Sequence, residues 1–314
     1  MFFMFSMFYT AKIKMKRFYI NVLFAAGLFL VLDILVIICR VALAQRAVDE
    51  AFDVPPGTEV VFIGNSHTGC TWSDASEFRN RKVWYHAMGF TLHYLRFLEL
   101  ERRGAFEKGV RACVVDCDSS ALDGFKTALI GSNFRGSLPF SWRYLDRVPE
   151  SFFVAIDVLS HASGLYVLTC DAPPEEPDWT TLSPRRQEDF FVHNYGKDWR
   201  VTQDWASSDY PKNWQEAFFA MVRDMKVRCS RHGVRLIFYA APLASNDPNR
   251  TNPVVYRRVS SVAEKIRSMG IEYYDYRAAC PDNKFRDAGH LLRSAAYEFT
   301  KKFYAEVLKL PVGK

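Results

Sequence analysis

A serine and a histidine–aspartate pair lie near opposite ends of this chain. Ser66 follows an apolar run, Val60 to Ile63, within the segment Gly64-Asn65-Ser66-His67-Thr68, and the second pair lies in Asp287-Ala288-Gly289-His290. A serine hydroxyl attacks an ester at neutral pH only when a base takes its proton and a third group orients that base. These residue types predict a nucleophilic enzyme in which Ser66 attacks, His290 is the base and Asp287 orients His290.

Other interpretations of the same residues stay open. Ser66 follows a strand and could be the N-cap of a helix, and Asp287 with His290 could cap the terminal helix. His67 and His86 are alternative bases, although side chains of neighbouring residues on a turn, such as Ser66 and His67, usually diverge. The pattern G-x-S-x-T also differs from the G-x-S-x-G elbow of α/β-hydrolases.

The N-terminal region predicts a membrane segment. An apolar stretch runs from Phe18 to Cys39, with Asp33 as its interruption, and it is long enough for a bilayer core of about 30 Å. Lys12, Lys14, Lys16 and Arg17 precede it, so the positive-inside rule places the N-terminus in the cytoplasm. We expect residues 1–17 to be cytoplasmic, 18–44 to be a signal anchor in the inner (cytoplasmic) membrane, and the remainder to be extracytoplasmic.

Two alternatives to the anchor remain. Ala42-Leu43-Ala44 resembles an A-x-A cleavage site, which would make the segment a signal peptide, but the apolar run exceeds the usual h-region of about 7–15 residues. A buried core helix is disfavoured because the segment has no amphipathic pattern. The formal net charge of +6 is mild and concentrated before the anchor, which argues against nucleic-acid binding.

Apolar runs and helical patterns alternate beyond a linker at residues 45–57. This alternation predicts an α/β domain at 58–314 with a parallel sheet covered on both faces. A stretch at about 121–212, which includes aromatic residues from Trp179 onward, is expected to be an insertion that covers the sheet or stacks sugar rings. The predicted strands are Glu59–Ile63, Val83–Ala87, Val110–Val115, Val234–Ala240 and Ile271–Tyr276, and the predicted helices run from about Thr91 to Arg103, Trp214 to His232, Val254 to Met269 and Leu291 to Leu308.

The candidate residues follow the predicted strands. Ser66 follows the first strand, Asp118 and Ser119 follow the third, and Asp287 with His290 follows the last. In parallel α/β sheets, sites form beyond the carboxyl ends of the strands. The candidate residues are therefore expected at one edge of the sheet.

The chain resembles the SGNH (GDSL-like) hydrolase superfamily, in which a G-[DN]-S block follows the first strand and a D-x-x-H block precedes the last helix. Gly64-Asn65-Ser66-His67 matches the first block and Asp287-Ala288-Gly289-His290 matches the last. The resemblance covers residues 58 to 308 in the order and spacing of elements. With its anchor, the chain looks most similar to the cell-envelope branch, which includes the DltD-like and alginate-acetylation proteins.

The resemblance implies a three-layer, flavodoxin-like parallel sheet and an oxyanion hole. Met88-Gly89-Phe90 is similar to the second block of the family, so the N–H groups of Ser66 and Gly89 are expected to bind the oxyanion, with Asn65 as a further candidate. The third block, G-x-N-D, is replaced by Asp116-Cys117-Asp118-Ser119, which lacks the asparagine. Asp118, Ser119 and Arg286 are weaker candidates for contacting substrate.

The expected function is that of a serine esterase or O-acyltransferase acting on small acyl esters, such as acetyl esters, of a cell-envelope glycan. No cofactor is implied, and Cys113-x3-Cys117 lacks the matching half of a zinc site. The expected partners are the glycan, the bilayer and a membrane-bound acyltransferase. The alternatives are a non-catalytic module of the same fold that binds such a glycan or partner, and a lipase.

The chain has seven cysteines, and those beyond the anchor could form disulfides in an oxidising compartment. They are Cys70, Cys113, Cys117, Cys170, Cys229 and Cys280, and their spacing does not select a pairing. Cys113 is expected to point into the core of a strand.

Overall fold

A computed structural model describes residues 19–36, 38–39, 49–50, 52–84, 90–118 and 212–312. The predicted insertion therefore lies outside the described residues, apart from its last position. The same holds for His86, Gly89 and Ser119.

The fold is built on a five-stranded sheet in which every neighbouring pair is parallel. The strand order is β2-β1-β3-β4-β5. This is the order of flavodoxin-like doubly wound sheets, and the direction of winding reverses between β1 and β3. The strands are β1 (Val60–Gly64), β2 (Asn80–Trp84), β3 (Ala112–Asp116), β4 (Arg235–Ala240) and β5 (Glu272–Asp275).

Helices alternate with these strands, which confirms the predicted α/β class. They are α1 (Tyr19–Val36), α2 (Ser66–Thr71), α3 (Phe90–Arg102), α4 (Lys212–Arg231), α5 (Pro248–Thr251), α6 (Pro253–Ser268) and α7 (Arg293–Phe303). The last of these continues as a π-helical turn over Tyr304–Leu308.

Both faces of the sheet are buried. Because side chains alternate along each strand, neighbouring residues of one strand belong to different cores. On β1, Val61 and Ile63 join a core formed with α3, α4 and α6. Phe62 belongs to a second core on the opposite face, where it stacks on Trp72 with ring centroids 4.3 Å apart and meets Phe303 of α7. Strands covered on both faces are continuously apolar, which is why short runs such as β1 are recognisable in the sequence.

Helix α1 is apolar and long enough to cross a membrane, and none of it is buried inside the protein. It contains most of the segment predicted as a membrane anchor. Many of the large apolar side chains of α1 are exposed.

The segment after α1 contributes to the domain core. Phe52 and Val54 are 3% and 1% exposed and pack in the same core as α3, although they lie in the predicted linker at 45–57. Arg103, just beyond α3, pairs with Asp49 at 2.6 Å and lies over the Phe52 ring at 5.6 Å. The packed structure therefore begins before residue 58.

Candidate active site

Ser66 is the first residue of α2, directly after the carboxyl end of β1. The N-cap is Asn65, whose side-chain oxygen accepts a hydrogen bond from the His67 N–H at 2.8 Å. Because Asn65 performs the capping, the hydroxyl of Ser66 is not used to cap the helix. The N-cap alternative for Ser66 is therefore wrong.

Close packing at Gly64 sets the turn that presents Ser66. A Cβ at Gly64 would lie 1.8 Å from Thr68 Oγ1 and 2.7 Å from Asp116 Cβ, so only glycine fits. The buried guanidinium of Arg96 on α3 donates a hydrogen bond to the Gly64 carbonyl at 2.7 Å. Packing from β3 and a charged donor from α3 thus fix the backbone before Ser66.

The segment from Asp287 to His290 forms a tight loop before α7. The Arg286 N–H donates to the His290 carbonyl at 2.9 Å, and the Gly289 N–H donates to Asp287 Oδ1 at 2.9 Å. Helix α7 begins only at Arg293, and its N-cap position makes no side-chain cap hydrogen bond. Asp287 and His290 therefore do not cap the helix.

The two distant motifs meet at the carboxyl edge of the sheet. Ser66 Oγ lies 3.2 Å from His290 Nε2, and His290 Nδ1 donates to both carboxylate oxygens of Asp287 at 2.9 Å. The side chains of His290 and Asp287 are 20% and 24% exposed, so a ligand can reach them. This chain of contacts has the hydroxyl–imidazole–carboxylate order of a serine nucleophile, its base and an orienting acid.

The protonation states match that order. Burial favours the neutral form of His290, and although Asp287 opposes this, the nearby cations His67 and Arg286 help to keep the pKa of His290 below its ordinary value. Burial raises the pKa of Asp287, but the hydrogen bond from His290 outweighs it and the net pKa is lowered. At neutral pH the site therefore holds a free imidazole beside an ionised carboxylate.

A second histidine–aspartate pair lies next to this chain of contacts. His67 Nδ1 donates to Asp118 Oδ2 at 2.5 Å, and the Asp118 side chain is 1% exposed. Of the two imidazoles, the one in hydrogen-bond contact with Ser66 is that of His290. Asp118, a weak candidate for substrate contact, is thus buried against His67 at the end of β3.

His67, Asp116 and Asp118 are the described residues grouped closely enough to be considered for a metal ion, with ligand atoms within 4.8 Å of one another. Two ligands of a tetrahedral zinc ion lie roughly 3.3 Å apart, because each is about 2.0–2.1 Å from the metal. The 2.5 Å contact between His67 and Asp118 is shorter than that spacing and is a charge-assisted hydrogen bond. The arrangement fits an ion pair better than a metal centre.

Arg286 contacts the same site from its rim. Its Nη2 donates to Cys70 Sγ at 3.2 Å, and its Nε lies 3.7 Å from Asp287 Oδ2. Burial raises the pKa of the Cys70 thiol, which therefore stays neutral. Within the described residues the cysteines are free, and Cys113 is fully buried as the sequence predicts.

Sequence reasoning missed Arg96 and the partner of His67. Arg96 lies within a helix whose apolar pattern gives no sign that a buried cation reaches Gly64. The Asp118–His67 contact depends on β3 lying beside β1, which the sequence order of the strands does not state. The one available signal was the pair of acidic residues, Asp116 and Asp118, at the end of an apolar strand.

No protein-family model matches this chain, and no curated protein resembles it significantly.

Proposed function

We propose that the protein is a membrane-anchored serine esterase or O-acyltransferase that uses Ser66, His290 and Asp287. The observation that carries this proposal is the chain of hydrogen bonds from Ser66 through His290 to Asp287. Its position adds support, because ligands of doubly wound sheets bind beyond the carboxyl ends of the strands where the order reverses. Ser66 follows β1 at that reversal.

The proposed reaction begins with attack by Ser66 Oγ on the carbonyl carbon of an ester while His290 Nε2 takes the hydroxyl proton. The tetrahedral intermediate collapses when His290 returns this proton to the leaving oxygen, and the acyl group stays on Ser66. A water molecule or a sugar hydroxyl then attacks the acyl carbon while His290 takes its proton. The bond between the acyl carbon and Ser66 Oγ breaks as His290 returns that proton to Oγ, which frees the acid or the acylated sugar. Asp287 stays ionised and holds the proton on His290 Nδ1 throughout.

The oxyanion formed in this reaction needs hydrogen-bond donors. Ser66 is at the first position of α2, where a backbone N–H has no acceptor within the helix, which supports its N–H as one donor. We propose the N–H of Gly89 as a second donor on the basis of the family resemblance. Asn65 is the further candidate expected from the sequence, and its side-chain oxygen accepts the capping hydrogen bond from the His67 N–H.

The substrate class follows from the anchor and from the family resemblance. Among the described residues, one helix before the domain is apolar and long enough to cross a membrane, which supports membrane attachment. From the basic residues that precede it, we propose that residues 1–17 lie in the cytoplasm, the helix in the inner (cytoplasmic) membrane and the domain outside. We propose that the protein belongs with the cell-envelope SGNH hydrolases, acts on acetyl-like esters of an envelope glycan, and receives or removes acyl groups there. A membrane-bound acyltransferase is the proposed partner if transfer dominates.

The test is hydrolysis of 4-nitrophenyl acetate by the full-length chain in detergent. We expect Ser66→Ala and His290→Ala each to lower kcat/KM by about 10³-fold or more, since each removes a group that acts only in the chemical step. Ser268→Ala is the matched control, because this serine is exposed at the end of α6 and its hydroxyl binds the Lys265 carbonyl.

Hydrolysis that is equally fast with Ser66→Ala would contradict the proposal. That result would favour the non-catalytic alternative, a glycan-binding or partner-binding module. The specific observation on the side of this alternative is that β3 is followed by Asp118 where the family pattern has an asparagine.

A further inference from the structure

His67 carries a second contact besides its ion pair. Its ring meets the ring of His290 edge-on, with centroids 5.3 Å apart and an interplanar angle of 65°. A Cβ on Gly289 would lie 2.8 Å from His67 Nε2, so the glycine before His290 leaves the space that the His67 ring occupies. His67 is therefore packed against both the base and the loop that carries it.

The groups around His67 favour its protonated form. Asp118, just after β3, accepts the hydrogen bond from His67 Nδ1, and Asp116 at the end of β3 belongs to the same cluster, with its carboxylate within 4.8 Å of the other two groups. Asp247, in the segment before α5, adds a further electrostatic attraction. Burial opposes a charge on the ring, but these carboxyl groups, Asp118 foremost, outweigh it and raise the pKa of His67 to about 9.

Asp116 and Asp247 carry less negative charge than two fully ionised carboxylates would. Burial, and for Asp116 the adjacent charge of Asp118, raises the pKa of both Asp116 and Asp247. The dominant partner of His67 is accordingly Asp118, and the pair His67–Asp118 is a buried ion pair with no net charge.

The loop before α7 faces His67 from the other side. It brings His290, with Asp287 at its Nδ1, and Arg286, whose guanidinium is turned toward Cys70 and Asp287. A positive charge at His67 thus lies beside the imidazole of His290, which must stay unprotonated to accept a proton from Ser66. The hydrogen bond from His67 Nδ1 to Asp118 stabilises that charge.

We propose that His67 and Asp118 form a second histidine–aspartate pair, and that the imidazolium of His67 positions the ring of His290 and keeps that ring unprotonated. His67 is a positioning residue in this account, since its contact is with His290 rather than with the reacting serine. The proposal rests on the proposed function of His290 as the base. It also explains the local sequence: a histidine directly after the serine, an aspartate after β3 and a glycine before His290 make one packed unit.

The experiment is a histidine titration by NMR on the full-length chain in detergent micelles, with ring Cε1 labelled by ¹³C. His67→Gln and Asp118→Asn are compared with wild type, and His232→Gln is the matched control because His232 pairs with Glu101 on a different part of the domain. His67 is expected to stay protonated through pH 8. In His67→Gln the midpoint of His290 is expected to rise by about 0.5–2 pH units, the effect of removing one adjacent positive charge. In Asp118→Asn it is expected to rise by less, because His67 loses its charge together with the opposite charge of Asp118.

A His67 midpoint near the ordinary value of about 6.5 would overturn the proposal, as would an unchanged His290 midpoint in folded His67→Gln. The His67 midpoint is measured on wild type, so it is obtained even if a variant fails to fold. Asp118→Asn gives a second measurement of the His290 midpoint if His67→Gln does not fold. A merely structural ion pair would alter thermal stability without moving the His290 midpoint.

The titration does not depend on turnover, so failure of the proposed function remains distinguishable. If His290 titrates as expected but Ser66 does not react with an acylating probe, the electrostatic coupling stands and the proposed activity fails. If Ser66 reacts and the His290 midpoint does not move, the activity stands and the role of His67 is contradicted.

Discussion

At the scale of single residues, the site depends on an ionised carboxylate at Asp287 that burial alone would not give. Burial disfavours charge on both Asp287 and His290, yet their mutual hydrogen bonds lower the pKa of Asp287 and leave the carboxylate charged. The imidazole stays neutral because burial and the adjacent cations outweigh that carboxylate. A free base and an ionised orienting acid therefore coexist at neutral pH.

This balance predicts the acid limb of the pH profile. Activity needs unprotonated His290, and its pKa lies below the ordinary value of about 6.5, so activity should persist to pH values below 6.5 before it falls. The measurement is kcat/KM for the acetyl ester from pH 4.5 to 8. A limb with its midpoint well above 6.5 would show that His290 is not the base or is not so perturbed.

At the scale of elements, the sequence predicts the bounds of strands that are buried on both faces and predicts the bounds of an edge strand less well. β1, and β4 apart from its first residue, are continuous apolar runs, and their observed bounds differ from the predicted ones by at most one residue at either end. β2 starts at Asn80 rather than at the predicted Val83, because it is an edge strand whose first residues are polar and half-exposed. Hydrophobic pattern carries little information at such an edge.

The turn between β1 and α2 gives a sharp prediction. Gly64→Ala would place a Cβ against Thr68 and Asp116, so we expect a loss of about 1–3 kcal/mol in the free energy of unfolding and reduced reactivity of Ser66. Thermal unfolding of the full chain measures the first effect. Gly27→Ala is the control, since a Cβ there meets nothing within 4 Å. A melting temperature equal to wild type would contradict the packing described for this turn.

At the scale of the whole molecule, the residues directly before position 55 pack with the domain. The run Pro55-Pro56-Gly57 indicates a linker in the sequence, but the apolar residues just before it, Phe52 and Val54, are buried. Phe52 and Val54 lie in a short stretch that is cut off by the prolines and has no room for a clear helical or strand period, so only the tertiary structure reveals their contacts.

Phe52→Ala tests this attachment. We expect a loss of about 3–5 kcal/mol in the free energy of unfolding, because a buried aromatic ring is removed from the core that also holds α3. Asp53→Ala alters the exposed neighbour and should change that free energy by no more than about 0.5 kcal/mol. Equal stability of the two variants would show that the segment does not pack on the domain.

Only part of the site could be predicted from the sequence. Ser66, Asp287 and His290 could be found because each ends or follows a recognisable element and their residue types suit one reaction. The contacts of His67 and Arg96 could not, because they are made across β1, β3 and α3 and depend on the strand order.

The central claim is that Ser66 is an activated nucleophile, and reaction with a fluorophosphonate probe tests it most directly. The full-length chain is incubated with the probe and the adduct is located by mass spectrometry, with Ser66→Ala and His290→Ala alongside. The account predicts an adduct on Ser66 that is lost in both variants, because Ser66 supplies the attacking oxygen and His290 takes its proton. Absence of an adduct on well-folded wild-type protein, or undiminished labelling in His290→Ala, would contradict it.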